Sequence, residues 1–168
     1  LANVYLVEGP VGAGKSTFAN RLSHRIGAPH LNLDAWMANL FLPDRPSDGV
    51  MEWYMARKAR CIEQIWQVAR GILDSGSGVI LELGLIQREN RQAFYRRIEA
   101  LGYGVQVYVL ETPRDVRKAR VQRRNSKKGD TFSMVVPDEV FEMASDMWQP
   151  PDDLERQSQA IEFVSSTG

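Results

Sequence analysis

Short apolar runs alternate with longer amphipathic stretches along this chain. Val4-Tyr5-Leu6-Val7 is apolar, rich in β-formers and closed by a glycine, which predicts a buried strand. Residues 15–26 place Phe18, Ala19, Leu22 and Ile26 at helical spacing and stop at Gly27. His30-Leu31-Asn32-Leu33 predicts a second strand, and residues 35–41 a short helix that Asp34 is placed to cap. A polar, proline-bearing loop covers 43–49. Met55, Ala59, Ile62, Trp66, Ala69 and Leu73 then recur every three or four residues, predicting a long helix over 51–75 that ends at Gly76 and Gly78. Residues 79–83 predict a third strand, 90–101 a helix with Phe94, Ile98 and Leu101 on one face, and 105–110 a fourth strand stopped by Thr112-Pro113. An arginine-rich helix is expected over 114–124, a polar and mobile loop over 125–131, a helix over 137–147 and a fifth strand over 161–164.

Strands alternating with helices imply an α/β fold with a parallel sheet covered on both faces. The length of 168 residues suits one domain with a single core. Apolar residues make up 43% and charged residues 25%, which excludes disorder as the default state. Lys and Arg number 21, as do Asp and Glu, so no net charge draws the chain to nucleic acid or an anionic membrane. The single cysteine, Cys61, excludes an internal disulfide and a cysteine-based zinc site. No apolar run reaches the roughly 20 residues of a membrane span, and no signal-peptide pattern is visible, so the expected location is the cytoplasm.

Gly9-Pro10-Val11-Gly12-Ala13-Gly14-Lys15-Ser16 matches the phosphate-binding pattern G-x-x-x-x-G-K-[ST] between a strand and a helix. Glycines let the backbone form a nest of N–H groups, and the following helix directs its positive end at the same anion. Lys15 is expected on the β- and γ-phosphates, the Ser16 hydroxyl on magnesium and Thr17 near the α-phosphate. A nucleoside triphosphate with magnesium is the ligand this pattern predicts.

The chain resembles the small P-loop kinases labelled as AAA-type ATP-binding proteins, near polynucleotide kinase, chloramphenicol phosphotransferase and zeta-toxin kinases. The resemblance rests on the segment 9–17, Asp34, Leu81-Glu82-Leu83-Gly84 with Arg88 and Arg91 beyond, Val109-Leu110-Glu111-Thr112-Pro113, residues 117–125 and residues 148–155. It implies a five-stranded parallel sheet, a single domain over 1–168, an arginine-bearing lid over about 117–136, and transfer of the γ-phosphoryl of ATP to an acceptor. The chain has no room for the helical subdomain of large AAA rings. It also lacks the N-K-x-D motif of guanine-specific proteins, which favours ATP.

Several side chains then become candidates. Asp34 follows the second strand, where strand ends line the ligand crevice. The resemblance favours it as general base or acceptor anchor; the other readings are a magnesium holder acting through water and a plain helix cap. Glu82 ends an apolar strand, where a carboxylate needs compensation. Magnesium would supply it, and so would Lys15 or an arginine. Arg117, Arg120 and Arg124 share one helix face, with Arg123 beside it, and are candidates to steady the transferring phosphoryl. Arg117 and Arg120 are assigned to the nucleotide, Arg120 and Arg124 to catalysis, and Arg57, Arg88 and Arg91 to an anionic acceptor. Trp36 and Trp53 are candidate walls of an acceptor pocket, whereas His24 and His30 are set aside. The expected activity is ATP-dependent phosphorylation of a hydroxyl on a small or nucleotide-like acceptor. The alternatives are a nucleic-acid 5′-hydroxyl kinase, which the neutral charge disfavours, and a nucleotide switch without an acceptor. No motif names the acceptor or the number of subunits.

Overall fold

The computed structural model describes residues 3–129 and 134–166. Five strands form one sheet: β1 (Asn3–Glu8), β2 (His30–Asn32), β3 (Val79–Glu82), β4 (Gly104–Glu111) and β5 (Ala160–Ser165). Their order is β2-β3-β1-β4-β5, and every pairing is parallel. Leu6 stands beside Leu81 on one side and Val107 on the other, so the strand leading to the P-loop lies at the centre.

Alternation along β1 sends side chains to two cores. Val4 and Leu6 join Leu81, Ile65, Trp66, Phe94 and Ile98 under α2 (Leu33–Leu40), α3 (Val50–Asp74) and α4 (Arg88–Glu99). Val7 joins Ala19, Leu22, Ile80 and Leu110 under α1 (Lys15–Ile26). Both faces are dry, which is why the strands read as apolar runs rather than as strict alternation. Trp66 meets Phe94 edge-on at 5.2 Å between ring centroids; truncating such a ring costs about 3–5 kcal/mol.

Three further α-helices follow among the described residues: α5 (Arg114–Lys127), α6 (Asp138–Met147) and α7 (Asp153–Ser158). Four departures from the sequence reading bear on function. First, α2 starts at Leu33, and its cap is Asn32, whose Oδ1 accepts from the N–H groups of Asp34 and Ala35. Asp34 is therefore not the cap. Second, α5 runs to Lys127, so 125–127 is helix rather than mobile loop. The Asn125 side chain clasps the backbone of Val136, donating to its carbonyl at 2.7 Å and accepting from its N–H at 3.0 Å. Residues 130–133, part of the expected lid and loop, lie outside the described residues. Third, the buried stripe of α3 runs through Cys61, Ile65, Trp66, Ala69 and Leu73, while Met55 is exposed. Fourth, residues 153–158 form a helix that the sequence reading lacked, capped by Asp152 accepting from the Glu155 N–H.

Candidate active site

A cleft of about 520 Å³ opens at the C-terminal ends of the strands. Its floor is the P-loop, residues 11–17. Gly12 and Gly14 adopt φ of +77° and +92°, which side chains rarely tolerate. A Cβ on Gly12 would stand 2.8 Å from the Arg117 carbonyl oxygen, so α5 packs directly on the loop. The Lys15 ammonium donates to the carbonyls of Gly9 at 2.9 Å and Pro10 at 3.0 Å. Gly9 and Pro10 thus lie behind the lining and hold the lysine. Burial lowers the Lys15 pKa, while Glu82, Asp34 and Glu8 pull it back up.

Ser16 donates to Glu82 Oε1 at 2.7 Å, and the Asn32 amide donates to Ser16 at 3.3 Å. Glu82 Oε2 meets His30 Nε2 at 2.9 Å. The partners of this buried carboxylate are therefore a serine and a histidine, not Lys15 or an arginine. His30, set aside in the sequence, holds the carboxylate from behind. It pairs with Ile80 in the sheet, which puts it diagonal to Glu82 across the β2–β3 ladder. Ser16 and Glu82 suit magnesium, which takes one or two protein oxygens and draws its other ligands from phosphate and water. Among the described residues no cluster of three or more His, Cys, Asp or Glu side chains could hold a metal alone.

Asp34 lines the same cleft. Its surface faces the open cavity, while protein crowds it from behind. That crowding raises its pKa; Lys15 opposes the rise, Glu82 adds to it, and Lys58 and Arg124 oppose it. Nearby Tyr54 is pushed up to about 12 by burial and by Asp34.

The arginines separate into two groups. Arg120, Arg123 and Arg124 line the cleft. Arg120 donates to the Ser166 carbonyl at 2.8 Å and to its hydroxyl at 3.1 Å. Arg124 keeps a buried Nε without a partner among the described residues. Arg117 is different from the nucleotide contact expected: it donates to the carbonyls of Val11 and Thr112 and to Ser145, and lies over Phe141. Its donors are used to anchor the P-loop from outside. The three arginines assigned to the acceptor are also elsewhere. Arg57 donates to the Trp53 carbonyl and lies over the Trp53 and Phe41 rings. Arg88 donates to the Pro150 carbonyl and pairs with Asp152. Arg91 is 0% exposed and bound to Glu155, Leu85 and Gln149. None of the three lines the cleft, and neither do Trp36 and Trp53. Lys58, Tyr54, Ile86 and Lys127 do line it.

One further carboxyl is buried at the end of the central strand. Glu8, at the end of β1, accepts from the Leu85 N–H at 3.2 Å and leaves Oε1 without a partner among the described residues. Arg91 takes the Leu85 carbonyl, and the Gln149 N–H takes that of Ile86. The turn after β3 is gripped on both sides.

A central parallel sheet, a glycine cradle opening into α1 and a helix bringing arginines to the cradle define a nucleotide-binding P-loop kinase fold. The chain belongs to the AAA domain family, whose pattern matches residues 4–151. It is 27% identical over 157 residues to shikimate kinase of Actinobacillus pleuropneumoniae serotype 5b (strain L20), covering 88% of this chain and 79% of that protein. The shikimate kinase of serotype 3 (strain JL03) matches equally. A putative kinase from Chloroflexus aurantiacus J-10-fl superposes with a TM-score of 0.74 at 20% identity, over 98% of this chain and 85% of that one. A gluconokinase from Sinorhizobium meliloti 1021 gives 0.64 at 17% identity, over 97% and 82%. No helix among the described residues is long and apolar enough to cross a membrane.

Proposed function

We propose that this protein transfers the γ-phosphoryl of ATP to a hydroxyl of a small-molecule acceptor. The observation that carries this is the release of Asp34. Asn32 caps α2, so the Asp34 carboxylate is left for the cleft that also holds the P-loop and three α5 arginines. A raised pKa makes it a better proton acceptor than an ordinary aspartate. The kinase names of the relatives support the same reading.

In this scheme Lys15 leaves the two carbonyls for the phosphates, and the backbone of 11–17 holds them. Ser16 and Glu82 would hold magnesium, which offsets charge on the phosphates when bound. Arg120 and Arg124 would steady the group in transfer; both line the cleft beside the P-loop. Asp34 takes the proton as the acceptor oxygen bonds to phosphorus and the bridging oxygen departs with ADP.

Asp34→Asn should bind ATP as the parent does but lose transfer by about 10²–10⁴-fold. Calorimetric titration with ATP and a product assay on the same preparation measure both. Normal transfer by Asp34→Asn removes the base from the scheme.

A further inference from the structure

Six cations line the cleft: Lys15, Lys58, Arg120, Arg123, Arg124 and Lys127. Among the described residues, two carboxylates, Asp34 and Glu82, accompany them. The chain carries equal numbers of acidic and basic residues, so this is a local accumulation. Elsewhere, Arg88, Arg91, Arg97, Arg114 and Lys118 each stand against an acidic side chain. Among the described residues, none of the six cleft cations takes part in an ion pair. Like charges gathered around an open cavity repel unless anions enter it.

The nucleotide accounts for part of this surplus. A triphosphate with magnesium brings about two net negative charges, against four positive charges in excess among the described residues of the cleft. The P-loop and α5 supply five of the six cations. Lys58 comes from another wall. It stands on α3 one turn after Tyr54, so the two share the face turned to the cleft. Its charge acts on Asp34, the carboxylate assigned to the acceptor hydroxyl. An ammonium lining the same cleft as that carboxylate, with no ion pair among the described residues, is a second anion point on the acceptor side.

We propose that the acceptor is a small alcohol that already carries a phosphate group, and that Lys58 is the residue that selects it. The inference rests on the phosphotransferase reading above and deepens it. A phosphate monoester carries about −1.5 to −2 charges at neutral pH, which matches what the nucleotide leaves uncancelled. A hydroxy acid supplies one charge and a neutral polyol none. Lysine binds phosphate as a point charge, so the total charge of the acceptor, more than the shape of its anionic group, sets the match.

The test uses the full chain loaded with magnesium and a non-hydrolysable β,γ-imido ATP analogue. Inorganic phosphate and acetate are titrated into it by calorimetry, for the parent, Lys58→Ala and Lys58→Arg, with thermal melts to verify folding. Inorganic phosphate is expected to bind the loaded parent at one additional site. Lys58→Ala should weaken it at least tenfold and Lys58→Arg should recover most of the loss. Acetate should bind at least tenfold more weakly than phosphate. No phosphate binding to the loaded parent, binding unaffected by Lys58→Ala, or acetate binding as tight as phosphate overturns the proposal. A transfer assay with polyols, hydroxy acids and sugar phosphates separates the two levels. Preferred transfer to neutral polyols leaves the kinase standing and removes the phosphorylated acceptor. Phosphate binding that depends on Lys58, with no transfer to any alcohol, removes the kinase and keeps the anion site.

Discussion

Replacing Glu155 with alanine tests the buried network that braces the cleft. Glu155 accepts from Arg91 Nε at 2.7 Å, from Nη2 at 2.9 Å and from the Tyr95 hydroxyl at 2.8 Å. Both side chains of the ion pair are 0% exposed. Glu155→Ala leaves the guanidinium with the carbonyls of Leu85 and Gln149 and the Trp148 ring, which carry no full negative charge. Breaking such a pair from one side costs about 3–5 kcal/mol. Against a total stability on the order of 5–15 kcal/mol, that is a large share. The urea midpoint should fall by about 2 M for a slope near 2 kcal/mol per M, and Tm by about 10 °C. Removing both charges, with Arg91→Met and Glu155→Leu together, should recover most of the loss, because neither charge is then left alone. A loss below about 1 kcal/mol in Glu155→Ala refutes the reasoning, since it means the guanidinium is neutralised or hydrated by other means.

Burial pushes the Glu8 carboxyl up to about 8, with Arg91 and Lys15 opposing. The folded state thus keeps this proton to higher pH than the unfolded chain, so stability drains as pH climbs from about 4.5 to 8. Glu8→Gln should gain on the parent through that window, by a few kcal/mol at its upper end, in urea titrations at several pH values; a difference that does not change with pH refutes the assignment. Gly12→Ala puts a Cβ 2.8 Å from the Arg117 carbonyl oxygen and 2.9 Å from Val121 Cγ2 at a φ of +77°. Strain of about 1–3 kcal/mol falls on the P-loop, and ATP affinity measured by calorimetry should drop at least tenfold; unchanged affinity shows that the loop and α5 separate freely.

The parts legible in the sequence were those written locally. The P-loop needs glycines at fixed offsets, and the parallel sheet follows from strands alternating with helices. Arg57, Arg88, Arg91 and Arg117 misled for one reason: a charged side chain does not say which way its helix faces. Arg57 and Lys58 are neighbours, and only Lys58 reaches the cleft. A signal was present all the same. Tyr54, Lys58, Cys61 and Ile65 recur at spacings of four, three and four, so the buried stripe of α3 extends through a lysine. The expected stripe began at Met55 and hid it. His30 had no such signal, because its contact with Glu82 depends on β2 lying beside β3, which local pattern does not state. Residues 153–158 escaped notice because six residues are too few to show a period.

Arg91 and Glu155 lie 64 positions apart in the chain, and the matched family region stops at residue 151. The arginine sits inside that region and its counter-charge outside it. Neither position can drift alone without leaving a charge stranded in the interior. Descent should therefore keep or discard them together. Among relatives that have lost the acid, the arginine should be missing as well, and the stretch from Trp148 onward should be free to vary in length.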